Sequence, residues 1–272
     1  MKKLNRFMSL CLILSAHSWA QQTKLNDKML AAGEELQYKV KWNFLRLGTI
    51  VIRCERILSA EDSMLYKLTM KVESNPDLAV LNIREYSESI VSAVDMTSRD
   101  FAGYYNSPGD RFETHYSYDR SSKQVVCSRR ESGSGRLLQE DTLTDVAPYV
   151  EGPSMFYYAR WMARSKQVVR IPKVADGKVD YVDFDFTLGR EYVEIGSVDQ
   201  PIRTRKYKGV IGGGGGTSAG LSGEFTGWVT DDEAAVPVQA EMKVLLGSIR
   251  IELERWSRSG WNPPVYVELV KN

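Results

Sequence analysis

From residue 36 to residue 44 the chain alternates. Leu36, Tyr38, Val40, Trp42 and Phe44 are apolar, while Gln37, Lys39, Lys41 and Asn43 between them are polar. A period of two belongs to extended chain, whose successive side chains point to opposite faces, so this segment reads as a strand with one buried and one wet face. A second strand carries Ile50, Ile52 and Cys54 after a turn expected at Leu47-Gly48. The same pattern, punctuated by turn residues, marks strands at 65–73, 84–93, 111–118, 124–130, 167–171, 178–188, 190–195, 203–210, 223–229, 236–245 and 248–254. So many short amphipathic strands exclude a parallel α/β fold. They point to a mainly β protein: a large curved antiparallel sheet, an open β-barrel or a sandwich.

Helical periodicity is scarce. One short central helix is predicted over 153–164, opened by Pro153-Ser154, with Met155, Tyr158, Ala159 and Met162 on one face. Asn75 starts a shorter helical turn over 76–81. Five glycines from Gly212 to Gly216 read as a hairpin loop, because a phosphate cradle would need spaced glycines feeding a helix. Residues 45–52 and 244–251 echo one another, each with a Gly-Thr or Gly-Ser step before β-branched residues. The echo reads as two tight hairpins using glycine for a positive φ.

The first twenty residues carry an address. Lys2, Lys3 and Arg6 precede an apolar run over 7–16, and Ser18-Trp19-Ala20 closes it, the layout of a secretory signal peptide cleaved before Gln21. The run is too short for a transmembrane anchor, and Cys11 does not follow a small residue as a lipidated cysteine would. The expected organisation is a signal at 1–20, a lead at 21–32, one β-rich domain at 33–256 and a tail at 257–272. In a Gram-negative cell the destination is the periplasm. Losing three basic residues moves the formal charge from +1 to −2, which offers nothing to nucleic acid.

Two cysteines remain after processing, Cys54 and Cys127. In an oxidising compartment an even pair suggests a disulfide; two separate buried thiols are the alternative. His115 is the one mature histidine, so zinc and thiol–imidazole chemistry lack ligands and partners, and neither a metal nor a cofactor is expected. Asp231 and Asp232 either form an acidic site or cap a turn before Pro237, and adjacent strand residues would point apart. Asp183 and Asp185 share one strand face at a spacing compatible with glycoside hydrolysis, but a solvated strand face explains them without any chemistry. The aromatic supply is the better lead. Tyr38 and Trp42 on the first strand, with Tyr157, Tyr158 and Trp161 on the helix, are the candidate lining of a concave binding face.

Three segments carry a resemblance. Gly33-Glu34-Glu35-Leu36-Gln37-Tyr38-Lys39-Val40, continuing through Gly48, resembles the opening of the DUF3108 family of exported bacterial proteins. Pro153-Ser154-Met155-Phe156-Tyr157-Tyr158-Ala159-Arg160 is similar to that family's short helix, and the stretch from Trp228 through Asp231-Asp232 to Pro237-Val238 and Gly247 resembles its close. The resemblance implies a β-rich secreted domain of unknown function and supplies no catalytic residues. The function expected is therefore a non-enzymatic envelope protein that binds a lipid or a glycan, with an envelope protein partner as the alternative and a cell-wall hydrolase behind both.

Overall fold

The computed structural model describes residues 28–58, 64–78, 82–107, 110–212, 223–244 and 247–266. The signal segment and the glycines after Gly212 lie outside the described residues. The N-terminal half is an antiparallel meander: β1 (Glu34–Trp42), β2 (Leu45–Leu58), β3 (Met64–Ser74), β4 (Arg84–Ser92), β5 (Ser98–Ser107), β6 (Asp110–Asp119), β7 (Gln124–Glu131) and β8 (Leu137–Leu143). Helix α1 (Gly152–Met162) follows. The second half runs through β9 (Val168–Ala175), β10 (Lys178–Asp185), β11 (Arg190–Val193), β12 (Ile202–Ile211), β13 (Gly223–Thr230), β14 (Pro237–Lys243) and β15 (Ser248–Ser257). These strands make one sheet in the order β8-β7-β6-β5-β4-β3-β2-β1-β15-β14-β13-β12-β10-β9, with β11 beside β12.

The sheet rolls up without closing into a barrel. Its end strands, β8 and β9, are not paired. The segment before α1 spans the gap: the Ser98 N–H at the head of β5 donates to the Tyr149 carbonyl at 2.9 Å, and the Val150 N–H donates to Pro172 on β9, also at 2.9 Å. The β9–β10 turn then leans on the inner face of β6, where the Asp176 N–H donates to Tyr116 Oη at 3.1 Å. The expected curved antiparallel sheet with a central helix is therefore what forms, open at a seam.

Local chemistry explains the helix. Glu151 is extended at the N-cap position, its N–H donates to Ser154 Oγ at 2.8 Å, and Pro153 sits in the first turn where a missing donor costs nothing. The chain turns away through Lys166 at φ 55°. Inside the roll α1 meets alternate residues of the strands, among them Leu36, Tyr38, Ile52, Leu68, Val182 and Phe184, all buried.

One polar assembly fixes the helix. The Arg160 guanidinium makes two hydrogen bonds to Glu34, at 2.6 and 3.1 Å, with both side chains 0% exposed. Tyr157 Oη donates to the same carboxylate at 2.9 Å, and Arg258, just past β15, pairs with it from the other side. Arg160 also donates to the carbonyls of Met29 and Ala234, at 3.2 and 2.9 Å. Burial pushes the Glu34 carboxyl up, but the two guanidinium groups outweigh it and hold it below the usual carboxylate value.

Several expectations need correcting. Cys54 and Cys127 are free and buried, not bonded. Each does face a core, as its alternation implies, but Cys54 packs with Leu36, Ile52 and Leu68 while Cys127 packs with Phe101, Tyr116 and Val125. Strands β3 to β6 lie between them, a path of about 24 Å along the sheet, where a disulfide needs Cα atoms within about 7 Å. The first turn comes at Asn43, φ 54°, and Gly48 is a strand residue: a Cβ there would strike the Glu73 backbone of β3. Gly48 thus serves close packing, whereas Gly247, φ 89°, does supply a left-handed turn. The turn at Asn75 is real, with Asn75 Oδ1 accepting from the Asp77 N–H at 3.2 Å, and residues 79–81 lie outside the described residues.

Breaking a buried ion pair strands its partner and typically costs 3–5 kcal/mol. Glu34→Gln or Arg160→Leu should therefore lower the unfolding free energy by about 3–5 kcal/mol in urea titrations. Because the folded Glu34 carboxyl is depressed, its contribution is present above the ordinary carboxylate pKa and lost as pH falls below it, so wild-type stability should drop on acidification. For the cysteines, burial pushes both thiols up to about 12. Alkylation without reductant should leave the native protein unmodified and add two groups after denaturation; a mass consistent with an oxidised pair would contradict the separate placement.

Candidate functional site

The inner face divides into two halves. Across β4 to β7 it mixes polar groups, among them Glu85, Ser87, Ser89 and Thr114, with a small core of Phe101, Tyr116, Val125 and Cys127; across β1 to β3 and β10 to β15 it is mainly apolar, Glu34 and Gln239 being exceptions. On the apolar side, between α1 and the sheet, lies a chamber of about 190 Å³. Its wall comes from Tyr38, Ile50, Ile52, Met70 and Val72 on β1 to β3, and from Phe184, Tyr207, Ile211, Phe225, Ala240, Met242 and Ile251 on the C-terminal strands. The helix closes it with Gly152, Met155, Phe156 and Ala159.

The wall is built by cross-strand complementarity. Gly227 faces Ala240 and adjoins Tyr207 in the register, and a Cβ on it would collide with the Tyr207 ring. A Cβ on Gly209 would come within 2.5 Å of the Phe225 ring. Two glycines therefore make room for two aromatic rings, which meet edge-on at 6.2 Å between centroids, and Phe184 joins them edge-on to Phe225 at 5.6 Å. Tyr38 Oη donates to the Pro237 carbonyl at 3.0 Å, which satisfies the hydroxyl and leaves its ring as an apolar surface. Burial pushes the Tyr38 and Tyr207 hydroxyls up, so both stay neutral. Met70, Met155 and Met242 contribute three flexible, polarizable side chains able to adapt to what they touch.

The candidate aromatics are distributed differently from the expectation. Tyr38 lines the chamber, and Phe156 meets its ring edge-on at 5.8 Å. Trp42 does not line it: it is the last residue of β1, where a Cβ on Gly247 would lie 3.6 Å from its indole Nε1. Tyr157 is committed to Glu34, while Tyr158 and Trp161 meet each other at a tilt, 5.7 Å between ring centroids. The residues that close the chamber, Met155, Phe156 and Ala159, fall at helical spacing from Gly152, and that spacing was their sequence signal.

The acidic candidates separate. Asp232 caps its turn, accepting from Thr230 Oγ1 at 2.6 Å and the Ala235 N–H at 3.0 Å. Asp231 points away to Arg190 and Arg205, each at 2.6 Å. Asp183 and Asp185 on β10 pair loosely with Arg170 and Lys208, and His115 on β6 is an exposed partner of Asp100 at 3.0 Å. Asp183 and Asp185 do line one open cleft of about 940 Å³ together, while Asp231 lies in a separate one. Among the described residues no three His, Cys, Asp or Glu side chains converge on a metal position, and no helix is long and apolar enough to cross a membrane.

Glu151 is the group that sequence reasoning missed as a titratable site. Ser89 donates to its Oε2 at 2.9 Å, its Oε1 is buried without a partner among the described residues, and burial raises the carboxyl to about 7. A raised acid favours the neutral form in the fold, so its penalty grows as pH climbs from the ordinary carboxylate value to about 7. Glu151→Gln should be more stable than wild type at pH 8 by up to about 3 kcal/mol, and by less than about 1 kcal/mol at pH 5, in paired denaturation curves.

With the fold and the chamber described, the relatives can be placed. No characterised protein in a curated collection matches the sequence significantly. Among solved structures, a beta-barrel-like protein of the domain of unknown function DUF1849 from Brucella abortus superposes with a TM-score of 0.54, at 10% identity, covering 85% of this chain and 99% of that one. That likeness concerns the fold alone. Residues 37–254 match the family described as protein of unknown function, DUF3108, and over that span, which holds the rolled sheet and its helix, the chain belongs to the DUF3108 family.

Proposed function

We propose that this protein is a non-enzymatic component of the bacterial cell envelope, exported through residues 1–20, that holds the apolar part of an envelope lipid or lipid-linked polymer in the chamber beneath α1. The chamber itself carries the reading. A void lined by apolar side chains resists water, and engineered cavities of about 150 Å³ stay dry and accept benzene. The chamber's lining is almost wholly apolar, so an acyl chain seated there exchanges water for apolar contacts at about 25 cal/mol per Å² buried, and the methionines fit it to more than one shape. The volume suits the end of a chain, so the polar portion of the ligand would stay outside the roll.

An envelope protein as partner is the second reading. What favours it is the end strand β8, which has no described neighbour on its outer edge and exposes Leu137 and Leu138, a surface suited to strand addition. Hydrolysis is the weaker reading: Asp183 and Asp185 share a cleft, but each faces a cation, Arg170 and Lys208.

Native mass spectrometry of the mature protein from its own host's periplasmic fraction, followed by organic extraction, tests the first reading. A reproducible co-purifying lipid is expected. Ala240→Trp, which places an indole in the chamber, should abolish it while leaving the circular dichroism spectrum unchanged. A clean apo mass, or lipid retained in full by a folded Ala240→Trp protein, would overturn the chamber as the binding site.

A further inference from the structure

A second cavity lies away from the chamber, where α1 ends and β13 turns. It has a volume of about 410 Å³ and is lined by Arg164, Arg190, Arg203, Arg205 and Asp231. Four guanidinium groups face one carboxylate. Arg190 and Arg205 are a direct cross-strand pair between β11 and β12, an arrangement that like charges disfavour. Asp231, its side chain 7% exposed, holds them by accepting from both Nε atoms at 2.6 Å, and its own N–H donates to the Arg203 carbonyl at 3.0 Å. Arg203 reaches that carboxylate only at 3.7 Å and the Asp231 carbonyl at 3.4 Å. Arg164 makes no ion pair among the described residues. Asp232 and Glu233 do not help neutralise the cluster, because Asp232 is engaged by Thr230 and Trp261 and Glu233 by Lys28.

The lining therefore carries a formal excess of three positive charges. The described contacts of Arg190 and Arg205 run through Nε, which leaves their Nη donors for another acceptor. Guanidinium forks match tetrahedral oxyanions, whose several oxygens can take parallel hydrogen bonds from more than one fork. We propose that Arg164, Arg190, Arg203 and Arg205 form a binding site for a multiply charged phosphate-class oxyanion, either free in solution or borne on a lipid headgroup. Asp231 is the positioning residue: it gathers Arg190 and Arg205 against their repulsion and is too small a counter-charge to satisfy them. The site is independent of the chamber, since β12 runs the length of the roll between Arg203 at one and Ile211 at the other.

Pyrophosphate titrated into the mature protein by calorimetry is the test, with Arg164→Ala and Arg203→Ala as variants and Arg170→Ala as the control. All three arginines are solvent-exposed, so the variants should fold as wild type does. One-to-one binding is expected, weakened about tenfold or more by loss of either cluster arginine, unchanged by Arg170→Ala, and weaker at higher salt. The absence of binding at about 10 mM, ten times a millimolar Kd, would overturn the site, as would equal binding by wild type and both cluster variants. Phosphatidylcholine vesicles containing phosphatidic acid distinguish the two sources. Vesicle association competed by pyrophosphate assigns a headgroup; pyrophosphate binding without vesicle association assigns a soluble anion.

Discussion

The rest of the structure depends on a carboxylate buried between two guanidinium groups. Glu34 opens β1, Arg160 sits in the last turn of α1 and Arg258 follows β15, so three remote parts of the chain meet at one charge. A hydrophobic helix inside a rolled sheet could rotate or slide, because apolar contacts are non-directional. The two-pronged Arg160–Glu34 pair, with Tyr157 on the same carboxylate and two backbone carbonyls on the same guanidinium, permits one rotation and one depth. That setting turns Met155, Phe156 and Ala159 to the sheet and thereby creates the chamber. Stability and a cavity thus share a cause: the polar clamp that fixes α1 also sets which helix face roofs the chamber.

The sheet was legible because its residues obey one rule. Wherever one face is buried and the other wet, as in β1, β3 or β12, alternation located the strand to within a residue or two. Two strands escaped for opposite reasons. In β5 the inward positions Phe101, Gly103 and Tyr105 include a glycine, needed because a Cβ at Gly103 would press on Tyr105 and Thr114, and the apolar signal is broken there. In β8 the strand is the sheet's end and largely exposed, so Gln139, Glu140 and Asp141 show no contrast between faces.

What the sequence leaves out is distance across the sheet. Cys54 and Cys127 each have the parity of an inward residue, but parity says nothing of separation, and the sheet order places four strands between them. Trp42 has the right parity too, but it stands at the strand's end, outside the chamber's wall. Glu34 carries a signal in hindsight, since it stands two residues before Leu36 and four before Tyr38 on the inward face, where an unpartnered acid would be intolerable. The arginines that answer it lie more than a hundred residues away, and no local pattern links them.

The strand order also holds a statement about connectivity. Read from β9 through β15 and on from β1 to β8, neighbouring strands follow one another almost without interruption, save for the side branch of β11. The chain is therefore a simple up-and-down meander cut between β15 and β1 and spliced between β8 and β9. Its two ends lie side by side in hydrogen-bonded register, Glu35 opposite Ser257, while the splice has to travel from one margin of the sheet to the other. Helix α1 is the middle of that splice. Its place in the interior follows from the shortest route across a rolled sheet, so the element that roofs the chamber is, in topological terms, the linker of a circularly permuted meander.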